Sequence, residues 1–307
     1  MDKEQETSRE EQYNDITVIG VGGCGSNTVE SLLSMGVKGV DFVVCDSNER
    51  SLKSSSAPAK HLLPLNHPIW GRDGSWKQIV FVVCGMGGTT GATYGPILAK
   101  EAKAEGLLTI GVVTLPFRFE GKETLKKALS NVQEMAKYTD SLLVFDNESL
   151  FELYGKMNIF EALTKVFATP IERIINFLNL PTHSCFDYAD FKRTMRNGEL
   201  AIFGVGEAEG KDRASKAAEQ AFHSPFLHNI PLRMNRALVN VTISSEEAID
   251  YEELSKIVAL VSEHSGNSHP HLDVLTYDES MGNRLRITIL AAGFELEQLP
   301  AFADRMQ

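Results

Sequence analysis

Two glycine-rich stretches, each running on from a short apolar segment, constrain this chain more than any other feature. The first is Gly20-Val21-Gly22-Gly23-Cys24-Gly25-Ser26-Asn27, after Ile16–Gly20; the second is Gly85-Met86-Gly87-Gly88-Thr89-Thr90-Gly91-Ala92, after Ile79–Cys84. Glycines let a backbone close on phosphate oxygens, and a helix that follows offers unpaired N–H groups and a positive dipole end. Further apolar runs at Val40–Cys45, Leu107–Leu115 and Leu142–Phe145 alternate with helical stretches. Helices are predicted at Asn27–Met35 and from about Pro96. In a third, Leu125, Ala128, Leu129, Val132, Met135 and Ala136 recur at the spacing of one helix face. Continuously apolar strands alternating with amphipathic helices predict a doubly wound α/β domain, its parallel sheet covered on both faces.

Beyond it, helical periodicity over Asn158–Leu178 is interrupted by Pro170. Thr169-Pro170-Ile171-Glu172 offers an N-cap, a proline at the first helical position and a glutamate at the third, so two consecutive helices are predicted rather than one kinked one. The remainder is α+β in rhythm. Strands are predicted at Leu200–Val205 and Leu238–Ile243, helices at Asp212–His223 and Tyr251–His264, and a closing pair of strands, Leu272–Tyr277 and Leu285–Leu290, around Met281-Gly282-Asn283. The expected division is a polar mobile tail over 1–14, a nucleotide-binding domain over 15–155, a connecting helical segment over 156–181, a smaller α+β domain over 182–294 and a short tail over 295–307.

Composition removes several function classes. Of 307 residues 43% are apolar, enough for a sizeable core, while 41 acidic against 30 basic residues give a formal net charge of −11. A sequence-independent nucleic-acid binder needs the opposite surplus to displace counterions from phosphates. No apolar run approaches the ~20 residues that cross a bilayer, and the N-terminus lacks a signal-peptide apolar region, so a cytoplasmic protein is expected. Cys24, Cys45, Cys84 and Cys185 show no CxxC spacing and read as free thiols.

The first glycine stretch contains GxGxxG, and Asp46 ends the next run 21 residues after Gly25, the layout of a dinucleotide site with a carboxylate for the ribose. The second stretch argues against NAD: one dinucleotide needs one phosphate cradle, whereas two at neighbouring strand ends suit a triphosphate gripped from both sides. A tight strand-to-helix turn that binds nothing is the plain alternative for either loop.

Five ordered blocks carry a family resemblance. They are Ile16–Asn27, Gly85–Pro96, Gly111–Gly121, Cys185-Phe186-Asp187-Tyr188-Ala189-Asp190-Phe191, and the group Gly210–Ala214, Ser224-Pro225 and Leu238–Thr242. The chain resembles FtsZ, the bacterial relative of tubulin, over nearly all of Ile16–Phe294. The resemblance implies a tubulin/FtsZ-like fold and a cell-division GTPase that polymerises head to tail, with GTP or GDP and Mg²⁺ as cofactors. Gly22, Gly23, Asn27, Gly87, Gly88, Thr89, Thr90 and Gly91 would hold phosphates and Glu120 the ribose. Asn147 or Asn158 would read the guanine edge. Asp187 and Asp190 would act on the nucleotide of the next subunit, where in-line phosphoryl transfer needs an oriented water and balanced charge. Without the resemblance, these two aspartates read as solvated carboxylates capping a short helix at Phe191–Met195.

Four departures matter. Thr89, Ala92 and Thr93 replace signature residues, which predicts a different path for that loop. The segment between Leu52 and Gln78 lacks the family's glycine-rich loop and following helix. Thr124 stands where the family has arginine, and Cys185 where it has asparagine. Together they predict weakened hydrolysis with binding and assembly retained. Lys122, Lys126 and Lys127 could lend charge in place of the missing arginine, although a solvated helix face is the commoner use of such a run. Cys24 reads as a small filler, and His264, His269 and His271 as surface residues rather than a metal site. Relatives usually continue past the position of Phe294 into a flexible linker and an adaptor-docking peptide. Glu295–Gln307 is too short for both, so no direct membrane contact is expected; the chain reads either as a trimmed core or as a paralogue that assembles with a longer FtsZ partner at the division site. Three classes remain: a polymerising GTPase, a nucleotide-binding filament or regulatory protein with little turnover, and an NAD-dependent enzyme.

Overall fold

The computed structural model describes residues 16–65, 69, 78–148, 159–179, 188–227, 230, 236–265 and 272–303. The predicted tail over 1–14 lies outside them. The chain divides into two compact units, Met1–Ile175 and Asn176–Gln307.

In the first unit the apolar runs become strands β1 (Ile16–Val21), β2 (Asp41–Asp46), β3 (Ala59–Leu62), β4 (Ile79–Gly85), β5 (Leu108–Leu115) and β6 (Ser141–Asp146). All pair in parallel in the order β3-β2-β1-β4-β5-β6. Every residue of β1 and β5 is buried, as expected of strands covered on both sides. The helices are α1 (Gly22–Ser34), α2 (Glu49–Ser54), α3 (Thr89–Ala104), α4 (Lys122–Ala136) and α5 (Ile159–Asn179), the last running into the second unit. The Cβ position of Gly85 faces Cys24 of α1, while the side chain of its neighbour Cys84 faces Gly95 of α3. Consecutive strand residues point to opposite faces, so α1 and α3 cover the two sides of the sheet.

Three local expectations are corrected here. Helix α1 starts at Gly22 and α3 at Thr89, so the first glycine stretch is helical from its third residue and the second from its fifth. Pro96 sits inside α3, whose first turns are held by the close fit of Gly91 against Gly85 and of Gly95 against Cys84. Helix α5 is one helix with Pro170 inside it, not two. Phe167, Ile171, Ile174 and Ile175 bury on a single face, and that burial outweighs the backbone bond the proline forfeits.

The second unit contains α6 (Tyr188–Met195), β7 (Glu199–Glu209), α7 (Arg213–Phe222), β8 (Ala237–Ile243), α8 (Tyr251–Ser265), β9 (Leu272–Tyr277), β10 (Arg284–Phe294) and α9 (Pro300–Ala303). Its strands run β7-β10-β8-β9, with β10 antiparallel to β7 and β8, and β8 parallel to β9. The expected closing pair is therefore wrong as a pair: β10 enters between β7 and β8 and does not neighbour β9. Helices α7 and α8 cover one face over Val239, Val241, Ile243, Leu285, Ile287 and Ile289. Gly206 on β7 permits the close approach of α7, since a methyl there would overlap the carbonyl of Ala217. Arg213 ties the two helices: its Nε and Nη2 donate to the Glu253 carboxylate at 2.8 and 2.7 Å, and the same guanidinium bonds the carbonyls of Asn283 and Ala248.

Candidate nucleotide-binding site

In the order β3-β2-β1-β4-β5-β6, the connections leave in opposite directions from β1 and β4, and such a switch point opens a crevice beyond the carboxyl ends of the strands. The two glycine stretches follow these two neighbouring strands. They touch: a Cβ built on Gly22 lies 3.1 Å from the amide nitrogen of Gly91 and 3.1 Å from Cβ of Thr90. Gly22 itself has φ +69°, a conformation that favours glycine. A hydroxyl bond of 2.9 Å between Ser47, just after β2, and Thr90 closes the same corner.

Neither helix that opens here is capped. Val21 precedes α1 and Gly88 precedes α3 without a side-chain cap bond, and neither first turn holds an acidic residue. The first N–H groups of two helices thus converge with their dipoles uncompensated, an arrangement whose chemistry suits an anion. Gly23, Asn27, Gly87, Gly88 and Thr89 are exposed around it, Thr90 is half-buried and Gly91 is buried. The altered signature residues cost no strain, because Thr89, Ala92 and Thr93 take helical conformations and none has positive φ. That answers the expected change of path: the loop joins helix α3 without needing glycine at those positions.

Around the cradle, Glu120 is exposed and its Oε1 accepts the Phe117 N–H at 2.9 Å. Thr124 donates to the Glu120 carbonyl at 2.9 Å, and its methyl lies 3.6 Å from a Cβ built on Gly87. The position where the resemblance places an arginine therefore borders the second glycine stretch with a short neutral side chain. Lys122, Lys126 and Lys127 are exposed on α4. Asn147, after β6, is 9% exposed, and its Oδ1 has no hydrogen-bond partner. Asn158, Asp187 and Cys185 lie outside the described residues; Asp190 stands in the first turn of α6 in the second unit. His269 and His271 also lie outside, while His264 stacks on Phe222 with centroids 4.2 Å apart.

Asp46 does not present a carboxylate to a ribose. It is 5% exposed, and its Oδ1 accepts the Asn48 N–H at 2.9 Å. Two features escaped sequence reasoning. The Ser47–Thr90 clasp joins residues far apart in sequence, and the only local signal is a hydroxyl directly after a strand end. Glu172, read as a capping residue, is a buried mid-helix carboxylate paired with Arg173 at 3.3 Å. A lone charge pair within an apolar helical run was the available sign.

Burial raises the Cys24 thiol above its ordinary pKa, a rise partly offset by Thr114, and burial pushes Cys45 up to about 12. A raised thiol pKa means little thiolate at neutral pH. In a Cys185→Ser background, iodoacetamide should modify the folded protein at neutral pH far more slowly than the urea-unfolded chain, and faster as pH rises toward 9. Alkylation at equal rates in both states would contradict the burial of these thiols.

The fold and cradle define a doubly wound phosphate-binding domain joined to an α+β unit. Residues 72–155 match the model of the Tubulin/FtsZ family, GTPase domain, and residues 199–295 that of the FtsZ family, C-terminal domain. The cell division protein FtsZ of Mycoplasmopsis pulmonis is 31% identical over 302 residues, covering 91% of this chain and 77% of that protein. Cell division protein FtsZ 1 of Methanocaldococcus jannaschii is 30% identical over 304 residues, covering 91% and 83%. Among solved structures, an empty FtsZ dimer from M. jannaschii superposes with a TM-score of 0.79 at 28% identity, over 95% of this chain and 92% of that one. The chain belongs to the FtsZ family of GTPases, the tubulin-like cytoskeletal proteins of cell division. Some relatives are longer: the chain spans 60% of the Caulobacter vibrioides cell division protein FtsZ. Among the described residues, no helix is long and apolar enough to cross a membrane.

Proposed function

We propose that this chain binds GTP and GDP in the crevice beyond β1 and β4 and hydrolyses GTP only when a second copy, stacked head to tail, completes the site. The observation that carries the nucleotide reading is the meeting of two uncapped helix N-termini at the switch point. Gly22, Gly23, Gly87, Gly88 and Gly91 supply main-chain donors to the phosphates, with Asn27, Thr89 and Thr90 adding side chains. Glu120 takes the ribose through its second carboxylate oxygen, and the buried Asn147 amide or Asn158 reads guanine. Among the described residues, no three His, Cys, Asp or Glu side chains gather as a metal site. Mg²⁺ therefore fits as an ion carried on the triphosphate, aided by the Thr89 and Thr90 hydroxyls, and it would neutralise charge there.

Self-assembly is supported by the FtsZ dimer among similar structures. Asp187 and Asp190, which belong to the other unit, orient the attacking water on the neighbour's nucleotide at the division site, in filaments that also admit a longer paralogue. Phosphate release per molecule should rise steeply above a threshold protein concentration. Asp190→Ala should lower that rate by at least about 100-fold, a loss in the range of a displaced water-positioning group, with GTP affinity unchanged. A rate strictly proportional to concentration, or loss of GTP binding in the variant, would sink the shared site. The neutral Thr124 beside Gly87 favours slow turnover as a second reading.

A further inference from the structure

The first-unit loops that cradle phosphate carry no lysine or arginine: neither Gly20–Asn27 nor Gly85–Pro96 contains one. Position 124, beside Gly87, holds threonine. The cradle thus offers backbone dipoles to a triphosphate, whereas phosphoryl transfer gains most from a full positive charge placed where negative charge develops.

Helix α6 carries such a charge next to Asp190. Phe191 and Met195, one turn apart, are fully buried and fix the helix to its unit. Arg236 donates to the carbonyls of Arg193 and Asn197 at 3.4 and 3.2 Å and so holds the helix end. On another face, Arg193 Nη2 sits 2.5 Å from Asp190 Oδ1, with the arginine side chain 78% exposed and the aspartate 29%. Wherever Asp190 docks, this guanidinium docks with it. Lys192 in the helix and Arg196 just after it keep this end locally basic on a chain of net charge −11, which suits an approach to phosphates.

We infer that Arg193 is a catalytic residue acting in trans: in the filament it bonds phosphate oxygens of the neighbouring copy's GTP while Asp190 orients the water. This rests on the shared-site reading above. In the step, the water oxygen bonds to the γ-phosphorus, and the bond from that phosphorus to the bridging oxygen breaks with its electron pair staying on GDP. The water's protons end on the phosphate produced or in solvent. Arg193 neutralises the charge that gathers on the bridging and γ-oxygens, the part the missing arginine at position 124 would otherwise play from within the same chain.

The test uses the full chain. Arg193→Ala should bind GTP as tightly as the unmodified protein below the assembly threshold, and above it should release phosphate at least about 100-fold more slowly, in line with transferred arginines elsewhere. Arg193→Lys should keep part of the rate. Adding Thr124→Arg to Arg193→Ala should restore at least about 10-fold, by returning the charge within the chain. Doping unmodified filaments with Arg193→Ala subunits keeps assembly intact even if the variant alone does not assemble; turnover should fall in proportion to the doped fraction. An unchanged or raised rate for Arg193→Ala, or undiminished turnover on doping, overturns the inference. So does a loss of turnover in the combined Lys122, Lys126 and Lys127→Ala variant with none in Arg193→Ala. If Asp190→Ala abolishes turnover while Arg193→Ala does not, this inference alone fails; if neither variant changes the rate, the shared site fails with it.

Discussion

Gly25→Ala is expected to destabilise the first unit by about 3 kcal/mol or more, the largest loss of any single substitution considered. Helix α1 lies on the sheet through a pair of glycines, and the Cβ position of Gly25 overlaps the carbonyl oxygen of Val83 and lies 2.7 Å from the carbonyl carbon of Gly20. Both obstacles are backbone of central strands, so no side chain can rotate aside. Overpacking that side chains can absorb costs about 1–3 kcal/mol. Here β1 and β4 would have to part from α1, so we expect the upper end or more, against total stabilities of about 5–15 kcal/mol. Urea unfolding followed by circular dichroism reads the effect. Gly23→Ala, with nothing within 4 Å of its Cβ position, is the control and should keep the fold. A Gly25→Ala midpoint equal to that of the unmodified protein would contradict the contact.

Arg213→Ala should destabilise the second unit by about 2–4 kcal/mol, because it strands a carboxylate and removes donors from two carbonyls together. The Arg213 and Glu253 side chains are only 14% and 22% exposed, so water replaces the lost bonds incompletely. Arg213→Lys should recover less than half of the loss, since an ammonium cannot span the carboxylate and the Ala248 and Asn283 carbonyls at once. Removing both partners, with Glu253→Gln added, should cost less than Arg213→Ala alone. Equal stability of Arg213→Ala and the unmodified protein in urea would refute this account.

The sequence announced its central strands because their residues are apolar on both faces. Strand β3 was invisible for the opposite reason. Ala59-Lys60-His61-Leu62 is a polar strand with alternate residues exposed, paired among the described residues only with β2, so its backbone bonds rather than its side chains define it. Pro96 and Pro170 both lie inside helices for one reason. Local backbone chemistry disfavours each, and the packing of Gly91 and Gly95 in one helix and of Phe167 and Ile171 in the other outweighs it. Strands β9 and β10 are neighbours in sequence but not in space. A long strand buried along nearly all of its length, as β10 is, belongs in the interior of a sheet with a partner on each side.

At the candidate site, the glycines were legible and their meeting was not. GxGxxG with Asp46 pointed to a ribose carboxylate, yet Asp46 spends its charge on the Asn48 amide. Contact between Gly22 and Gly91, and the hydroxyl bond from Ser47 to Thr90, arise only once β1, β2 and β4 stand side by side.

A grip made from peptide groups has an evolutionary consequence. The donors at the openings of α1 and α3 belong to the chain's path, and any residue that follows the same path supplies them. Threonine and alanine stand at positions 89, 92 and 93 and threonine at 124, and the start of α3 needs no positive φ at any of the first three. Under the proposed function, side chains that set reaction speed could change while a main-chain hold on phosphate stayed the same, so catalysis and assembly could vary independently.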